Sequence, residues 1–265
     1  MTRLCFDSSM GEQTNSVKAL HAPVAVATAL GHVGDEVRTA AGDNLVALVL
    51  YGGLARGRHR GPRSNVDLAV VLEDASPERI AEITPVLMAA WRAARVDAWI
   101  LGRAEIPRLA EVFPTRLLDI RDHHLLLHGE DVFAGLEIDG KLLRLRVEQE
   151  LSNLSLRLRR TLVTLAADPA SAAAYLASTA RPLAIQLAVL LRLAGRTLPA
   201  EDRTAAIFAA AAGAFGLDGE ALDTLAGLRQ GEWPVEDVRA LVGSVQVAAT
   251  RAAEVARSLD LDCAP

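Results

Sequence analysis

The sequence predicts an α+β protein in which a small sheet-containing domain is followed by an all-α helical bundle. Short runs rich in Val and Leu, bounded by turn residues, recur in the first half of the chain, as in buried strands. From about Lys141 onward, the apolar residues instead recur every three or four positions, as in amphipathic helices. A chain of 265 residues that is 51% hydrophobic is also long enough to form two cores. We therefore predict two domains, at 1–135 and 136–265.

The first domain is predicted to contain four strands, at 45–50, 66–72, 95–101 and 123–131. A helix at 16–41 precedes the first strand. Another helix begins at Ser76-Pro77, where Ser is a favourable cap and Pro fits the first turn, and it runs to about Ala94. The segment 113–115, which contains a proline, interrupts the chain before a short helix at 117–120.

The second domain is predicted to be helical throughout. Its first helix carries an apolar stripe, formed by Val147, Leu151, Leu154, Leu158, Leu162 and Leu165. Further helices are predicted at 168–195, 200–215, 220–229 and 234–259, and Pro182 should kink the first of these. Long amphipathic helices of this kind permit a homodimer without requiring one.

The chemistry is predicted to lie where the first two strands meet, in residues 45–72. The first apolar run ends at Gly52 and Gly53, and the second opens with Asn65 and Asp67. Residues two apart on a strand share a face, about 6–7 Å from each other. Glycines let the backbone approach a phosphate, and paired oxygen ligands suit Mg²⁺. The alternative is a tight turn before an ordinary polar strand start, because Asn and Asp both favour turns.

The residues around this junction resemble the signature of the nucleotidyltransferase superfamily, which includes DNA polymerase β, the aminoglycoside nucleotidyltransferases and the bacterial minimal nucleotidyltransferases. The first half of the motif stands here as Tyr-Gly-Gly-Leu-Ala-Arg-Gly at 51–57. The second half stands as Ser-Asn-Val-Asp-Leu at 64–68, eleven residues after Gly53. The resemblance implies a small mixed-sheet nucleotidyltransferase domain. The helical half similarly resembles the substrate-binding bundles appended to bacterial members, so it is expected to bind a substrate or a partner.

The resemblance also implies roles for particular residues. Gly52, Gly53, Arg56 and Ser64 are expected to bind the nucleoside triphosphate. Asn65, Asp67 and Asp97 are expected to hold Mg²⁺, and Asp97, by its order on the third strand, is expected to act as general base or metal ligand. The alternative for Asp97 is a carboxylate at a strand edge that faces water.

Asn65 stands where the family has a carboxylate. An amide oxygen can ligate Mg²⁺ but brings no negative charge, so a second metal site should be weakened most. The expected activity is transfer of a nucleoside monophosphate, AMP from ATP, to a hydroxyl of a small molecule or a protein. The first alternative is a catalytically degenerate nucleotide-binding or regulatory protein of the same fold. The second is an antitoxin-like nucleotidyltransferase that modifies a partner protein.

The remaining features set limits on partners. A basic loop at 56–63 suggests an anionic substrate nearby, and the alternative, favoured for each residue except the motif arginine Arg56, is a solvated basic loop. The net charge of −5 argues against nucleic-acid binding. Two cysteines near opposite ends do not form a disulfide framework or zinc site. Without a signal or a membrane-length apolar run, a cytoplasmic protein is expected. Strand alternation places His124 and His128 on one face of the fourth strand. We expect them to be histidines of an edge strand, and the alternative is a pair of metal ligands.

Overall fold

The computed structural model describes residues 24–57, 65–164, 169–199, 203–230 and 237–260. Its contacts divide the chain into two compact units, at Met1–Ile138 and Asp139–Pro265. A four-stranded mixed sheet with flanking helices occupies the described part of the first unit, and the described part of the second unit is helical. The predicted α+β class is therefore confirmed.

The elements of the first unit follow the predicted order with several differences in length. The strands are β1 Leu45–Tyr51, β2 Val66–Leu72, β3 Val96–Gly102 and β4 Leu125–Gly129. The helices are α1 Val24–Ala41, α2 Gly52–Ala55, α3 Pro77–Ala94, α4 Ile106–Val112 and α5 Pro114–Asp122. The described part of the unit also contains two 3-10 turns, at Gly42–Asn44 and Arg103–Glu105. Residues 16–23 of the first predicted helix lie outside the described residues.

The sheet has the order β3-β2-β1-β4, so β1 and β2 are its central strands. β1 pairs antiparallel with both β2 and β4, whereas β2 and β3 run parallel. The α3 helix makes the crossover that the parallel pair requires. β2 is paired on both sides and covered by helices on both faces, so its residues 68–72 are completely buried, whereas Asp67 near its start is half-buried.

Each face of the sheet packs against a different layer of helices. One face, with Leu50, Leu68 and Val70, lies against α1 and α3. The opposite face, with Val49, Val71 and Leu101, lies against α4, α5 and Phe133. Strand side chains alternate between these two layers, and Tyr51 belongs to the second. The candidate site lies on this second face, at the edge where β1 ends and β2 and β3 begin.

The second unit contains five helices within its described residues: α6 Gly140–Thr164, α7 Pro169–Leu193, α8 Thr204–Phe215, α9 Gly219–Gln230 and α10 Val238–Ser258. The predicted stripe is buried from Val147 to Leu158 on α6, Leu162 is half-buried, and Leu165 lies outside the described residues. It packs against α10, whose core face is mostly alanine and allows close approach. Within this contact the Ser155 hydroxyl lies 2.8 Å from the Thr250 hydroxyl.

The α7 helix differs from the sequence expectation in one respect. Its residues Ala170–Leu193 are long and apolar enough to cross a membrane by length and composition, although no single run of apolar residues reaches that length. Half of its most apolar window is buried inside the protein, which is also typical of a core helix.

Two sequence predictions for the first unit were wrong in detail, and one helix was missed. Residue Arg95 is not part of the third strand, because it has left-handed backbone angles that end α3. Helix α4 was not predicted, since its seven residues are too short for a clear period. The fourth strand is shorter than expected, because His123 and His124 complete the turn after α5.

Candidate functional site

Three polar side chains form a row across the sheet. In the antiparallel β1–β2 pair Tyr51 lies opposite Asp67, and in the parallel β2–β3 pair Asp67 lies opposite Asp97. Neighbouring strands are about 4.8 Å apart, and residues directly opposite each other point to the same face. Asp67 is half-buried and Asp97 is exposed, so the row runs from the core to the solvent. The register of the sheet thus places the two predicted carboxylates side by side.

The carboxylate of Asp67 lies against the backbone of Gly52. Gly52 has a φ of +72°, and a β-carbon added to it would lie 2.2 Å from Asp67 Oδ2. A side chain at this position would therefore collide with the carboxylate as well as adopt an unfavourable backbone conformation. The first glycine of the motif provides the space in which Asp67 sits, and Gly53 follows it in the short helix α2.

Asn65 contacts the second carboxylate of the row. Its amide nitrogen donates to Asp97 Oδ2 over 3.4 Å, and its amide oxygen accepts from Arg95 Nε over 3.1 Å. The three residues lie at the N-terminal ends of β2 and β3, where the backbone N–H of Val66 also donates to the carbonyl of Arg95. Asn65 therefore links the Asp97 carboxylate to a guanidinium group.

Arg116 on α5 lies over two aromatic rings of the site. Its guanidinium carbon is 3.9 Å from the centre of the Trp99 ring and 5.6 Å from that of Tyr51, and it donates a hydrogen bond to the Tyr51 hydroxyl. Trp99 follows Asp97 by two residues on β3 and so shares its face. A cation over aromatic faces is held in place without losing its charge. Arg116 is thus a positioned cation beside the carboxylates.

The pKa of the Tyr51 hydroxyl depends on its burial and on Arg116, Asp67 and Asp97. Burial raises the pKa of Tyr51 above the usual value of a phenol, and the nearby negative charges of Asp67 and Asp97 act in the same direction. The hydrogen bond and the positive charge of Arg116 oppose this rise. Tyr51 therefore stays protonated at neutral pH and can act as a hydrogen-bond donor.

The other predicted nucleotide-binding residues have different outcomes. Arg56 ends α2 and forms an ion pair with Asp119 of α5, with only 14% of its side chain exposed. It therefore links the glycine turn to α5. Ser64 and residues 58–63 of the basic loop lie outside the described residues, as do the two cysteines.

The structure assigns His124 a structural role. Its two ring nitrogens lie 2.8 Å from the carbonyl oxygen of Ile120 and 3.0 Å from Asp131 Oδ1. The Asp131 carboxylate in turn accepts from the backbone N–H groups of Phe133 and Ala134. Because both ring nitrogens have hydrogen-bonding partners, His124 connects the end of α5 to the loop after β4 and stabilises that loop. The predicted alternative of a metal pair with His128 is thereby disfavoured.

The donor set fits one Mg²⁺ ion better than two. In the part of the chain that the structure describes, no cluster of three or more His, Cys, Asp or Glu side chains could hold a metal. The two carboxylates of Asp67 and Asp97 are nevertheless what Mg²⁺ requires when substrate phosphates and water supply its other ligands. Asn65 contributes no charge, and its oxygen already accepts from Arg95.

Sequence reasoning did not assign roles to Tyr51, Arg95, Arg116 or Asp119. Arg95 lies 30 residues from its partner Asn65, and Arg116 lies 65 residues from Tyr51. No local pattern connects such pairs. The sequence offered one weak signal. Arginines occur at position 95 and again at position 116, and the motif between residues 51 and 68 predicts binding of an anionic nucleotide.

The second unit has an open cavity of its own, of about 410 Å³. Its lining combines charged and apolar side chains, among them Arg159, Asp218, Val247, Arg251 and Glu254. A cavity of this size could hold a small molecule.

No protein-family model matches this chain, and no curated protein matches it significantly.

Proposed function

We propose that the first unit is a nucleotidyltransferase-like domain that binds a nucleoside triphosphate with Mg²⁺, transfers a nucleoside monophosphate, AMP from ATP, to a hydroxyl group, and releases pyrophosphate. The observation that carries this proposal is the alignment of Asp67 and Asp97 in adjacent strands, beside a glycine turn that leaves room for the Asp67 carboxylate. The sequence motif and the mixed sheet support the same conclusion.

The proposed roles follow from charge and position. Asp67 and Asp97 would hold the cation, and the more exposed Asp97 carboxylate would also accept the proton of the attacking hydroxyl. Arg116 would bind phosphate oxygens, because stacking on Trp99 and the hydrogen bond to Tyr51 fix the position of its guanidinium, which has five N–H donors in all. When bound, Mg²⁺ would neutralise charge on the transferring phosphoryl group. The chain's own contribution is mainly positioning.

A second candidate function is nucleotide binding without catalysis. The contact between Asn65 and Arg95 favours it, because a neutral amide held by a cation attracts metal less than a carboxylate does. The site would then serve regulation or interaction with a partner.

Calorimetric titration with a non-hydrolysable ATP analogue tests the proposal. Binding is expected to require Mg²⁺ and to be lost in Asp67→Ala. The matched control is Asp35→Ala, which removes an exposed carboxylate from α1, on the opposite side of the sheet. If Asp67→Ala bound the analogue as well as the wild type does, the assigned metal role would be wrong.

Detection of AMP transfer separates the two candidates. The wild type is incubated with ATP labelled on the α-phosphate and with small hydroxyl compounds or cell extract. Labelled product that depends on Asp97 supports the enzyme. Analogue binding without labelled product in any acceptor mixture supports the binding protein.

A further inference from the structure

Arg95 is held in place by four contacts, two from its backbone and two from its side chain. Its backbone N–H donates to the carbonyl of Trp91 over 2.9 Å, and its carbonyl accepts from Val66. Its guanidinium carbon lies 4.8 Å from the centre of the Trp91 ring, and its Nε donates to Asn65. The end of α3, the start of β2 and the candidate site thus all meet at this arginine.

The backbone of Arg95 makes an arginine here unusual. Its φ of +53° is left-handed, and it is the only non-glycine residue with positive φ among the described residues. Helices commonly end in this conformation with glycine, which adopts it without strain. An arginine at this position is explained if its side chain has a role that glycine cannot supply. The hydrogen bond from Arg95 Nε to Asn65 indicates that role.

Asn65 carries the effect of this charge to the metal-binding carboxylate. The amide oxygen accepts from Arg95, and the amide nitrogen donates to Asp97. A cation coordinated to that amide oxygen would lie at most about 5 Å from Arg95 Nε, given a metal–oxygen distance of about 2.1 Å. Like charges repel at this separation, so Arg95 opposes a cation next to Asn65.

We propose that the Arg95 guanidinium, acting through Asn65, replaces one of two divalent cations, so that the site binds a single divalent cation with each nucleotide. This inference rests on the proposed function, because it concerns how the same site balances the charge of a triphosphate. Asp67 and Asp97 carry two negative charges and Arg95 returns one positive charge. One dication and one arginine then face the phosphates.

Counting bound Mn²⁺ tests the inference without measuring activity. Mn²⁺ is titrated into the full-length protein and a non-hydrolysable ATP analogue, with protein in excess, and free Mn²⁺ is followed by its electron paramagnetic resonance signal. The wild type is expected to bind one Mn²⁺ per bound analogue. The double variant Asn65→Asp with Arg95→Gly restores a carboxylate, removes the guanidinium and is expected to bind two.

The single variants separate charge from structure. Arg95→Gly suits the left-handed backbone, so it should fold at least as well as the wild type, and it should weaken analogue binding at low Mn²⁺ by about fivefold. Arg92→Ala is the matched control, because it removes a cation from the last turn of α3. It should leave both the stoichiometry and the affinity unchanged.

The possible outcomes distinguish the inference from the function. Two Mn²⁺ ions per analogue in the wild type would overturn the inference while the proposed function stands. One Mn²⁺ ion in the wild type and also in the double variant would overturn it as well, since Arg95 and Asn65 would not set the number. If no variant bound the analogue at all, the proposed function itself would fail.

Discussion

Replacing Gly52 by alanine should damage both stability and nucleotide binding, and the structure separates the two effects. The added β-carbon would lie 2.2 Å from Asp67 Oδ2, and the alanine would have to adopt a φ of +72°. Gly42, at the other end of β1, has a φ of +53°, and no described atom lies within 4 Å of its added β-carbon. Gly42→Ala therefore reproduces the backbone strain without the collision.

The expected magnitudes follow from these two terms. Left-handed alanine costs about 1–2 kcal/mol, and loss of glycine entropy in the unfolded chain offsets about 0.4–1 kcal/mol. Gly42→Ala should therefore destabilise the unit by about 1 kcal/mol. Gly52→Ala adds the cost of displacing a half-buried carboxylate, about 1–2 kcal/mol on the scale of overpacked sites, for a total of about 2–3 kcal/mol. Displacing Asp67 should also weaken Mg²⁺-dependent analogue binding by about tenfold, which corresponds to about 1.4 kcal/mol.

Urea denaturation followed by tryptophan fluorescence measures the first effect, and calorimetric titration measures the second. Two of the three tryptophans of the chain, Trp91 and Trp99, lie in the first unit and report its unfolding. Equal destabilisation by Gly52→Ala and Gly42→Ala would show that the carboxylate is not held against the glycine. Wild-type affinity in Gly52→Ala would refute the argument that this glycine positions Asp67.

Three further predictions concern the site and the helical unit. Arg116→Ala should weaken analogue binding about tenfold, whereas Arg108→Ala, an exposed cation on the preceding helix, should not change it; equal affinities would remove Arg116 from the site. Because burial raises the pKa of Tyr51, the folded state keeps a proton that the unfolded state loses, so stability should fall as pH rises above about 10. Tyr51→Phe should remove that part of the decline in urea denaturation between pH 9 and 11, and an unchanged slope would argue against it. Leu151 on α6 is fully buried, so Leu151→Ala should destabilise the helical unit by about 2–5 kcal/mol, whereas Leu156→Ala, at an exposed position, should cost less than about 0.5 kcal/mol. Denaturation followed by circular dichroism measures both, and a larger loss in Leu156→Ala than in Leu151→Ala would contradict the packing described for α6.

Most elements of the fold could be predicted because their signals are local. The apolar run at 66–72 and the Ser-Pro start at residue 76 predicted β2 and α3 with the bounds that the structure has. Where the local signal was ambiguous, the bounds were wrong. Arg95 reads as part of an apolar strand, but hydrogen bonds from the end of α3 hold it in a left-handed conformation.

The candidate site divides in the same way. The sequence by itself indicated the candidate residues of the motif, since Asn65 and Asp67 were expected to share a strand face and Gly52 and Gly53 to end the first run. Only the tertiary structure decided that Asp67 lies opposite Asp97 and that Arg95 and Arg116 join them. The physical reason is that strand register and helix packing are set by burial of the whole sheet, which brings together residues that lie 30 to 65 positions apart in the chain.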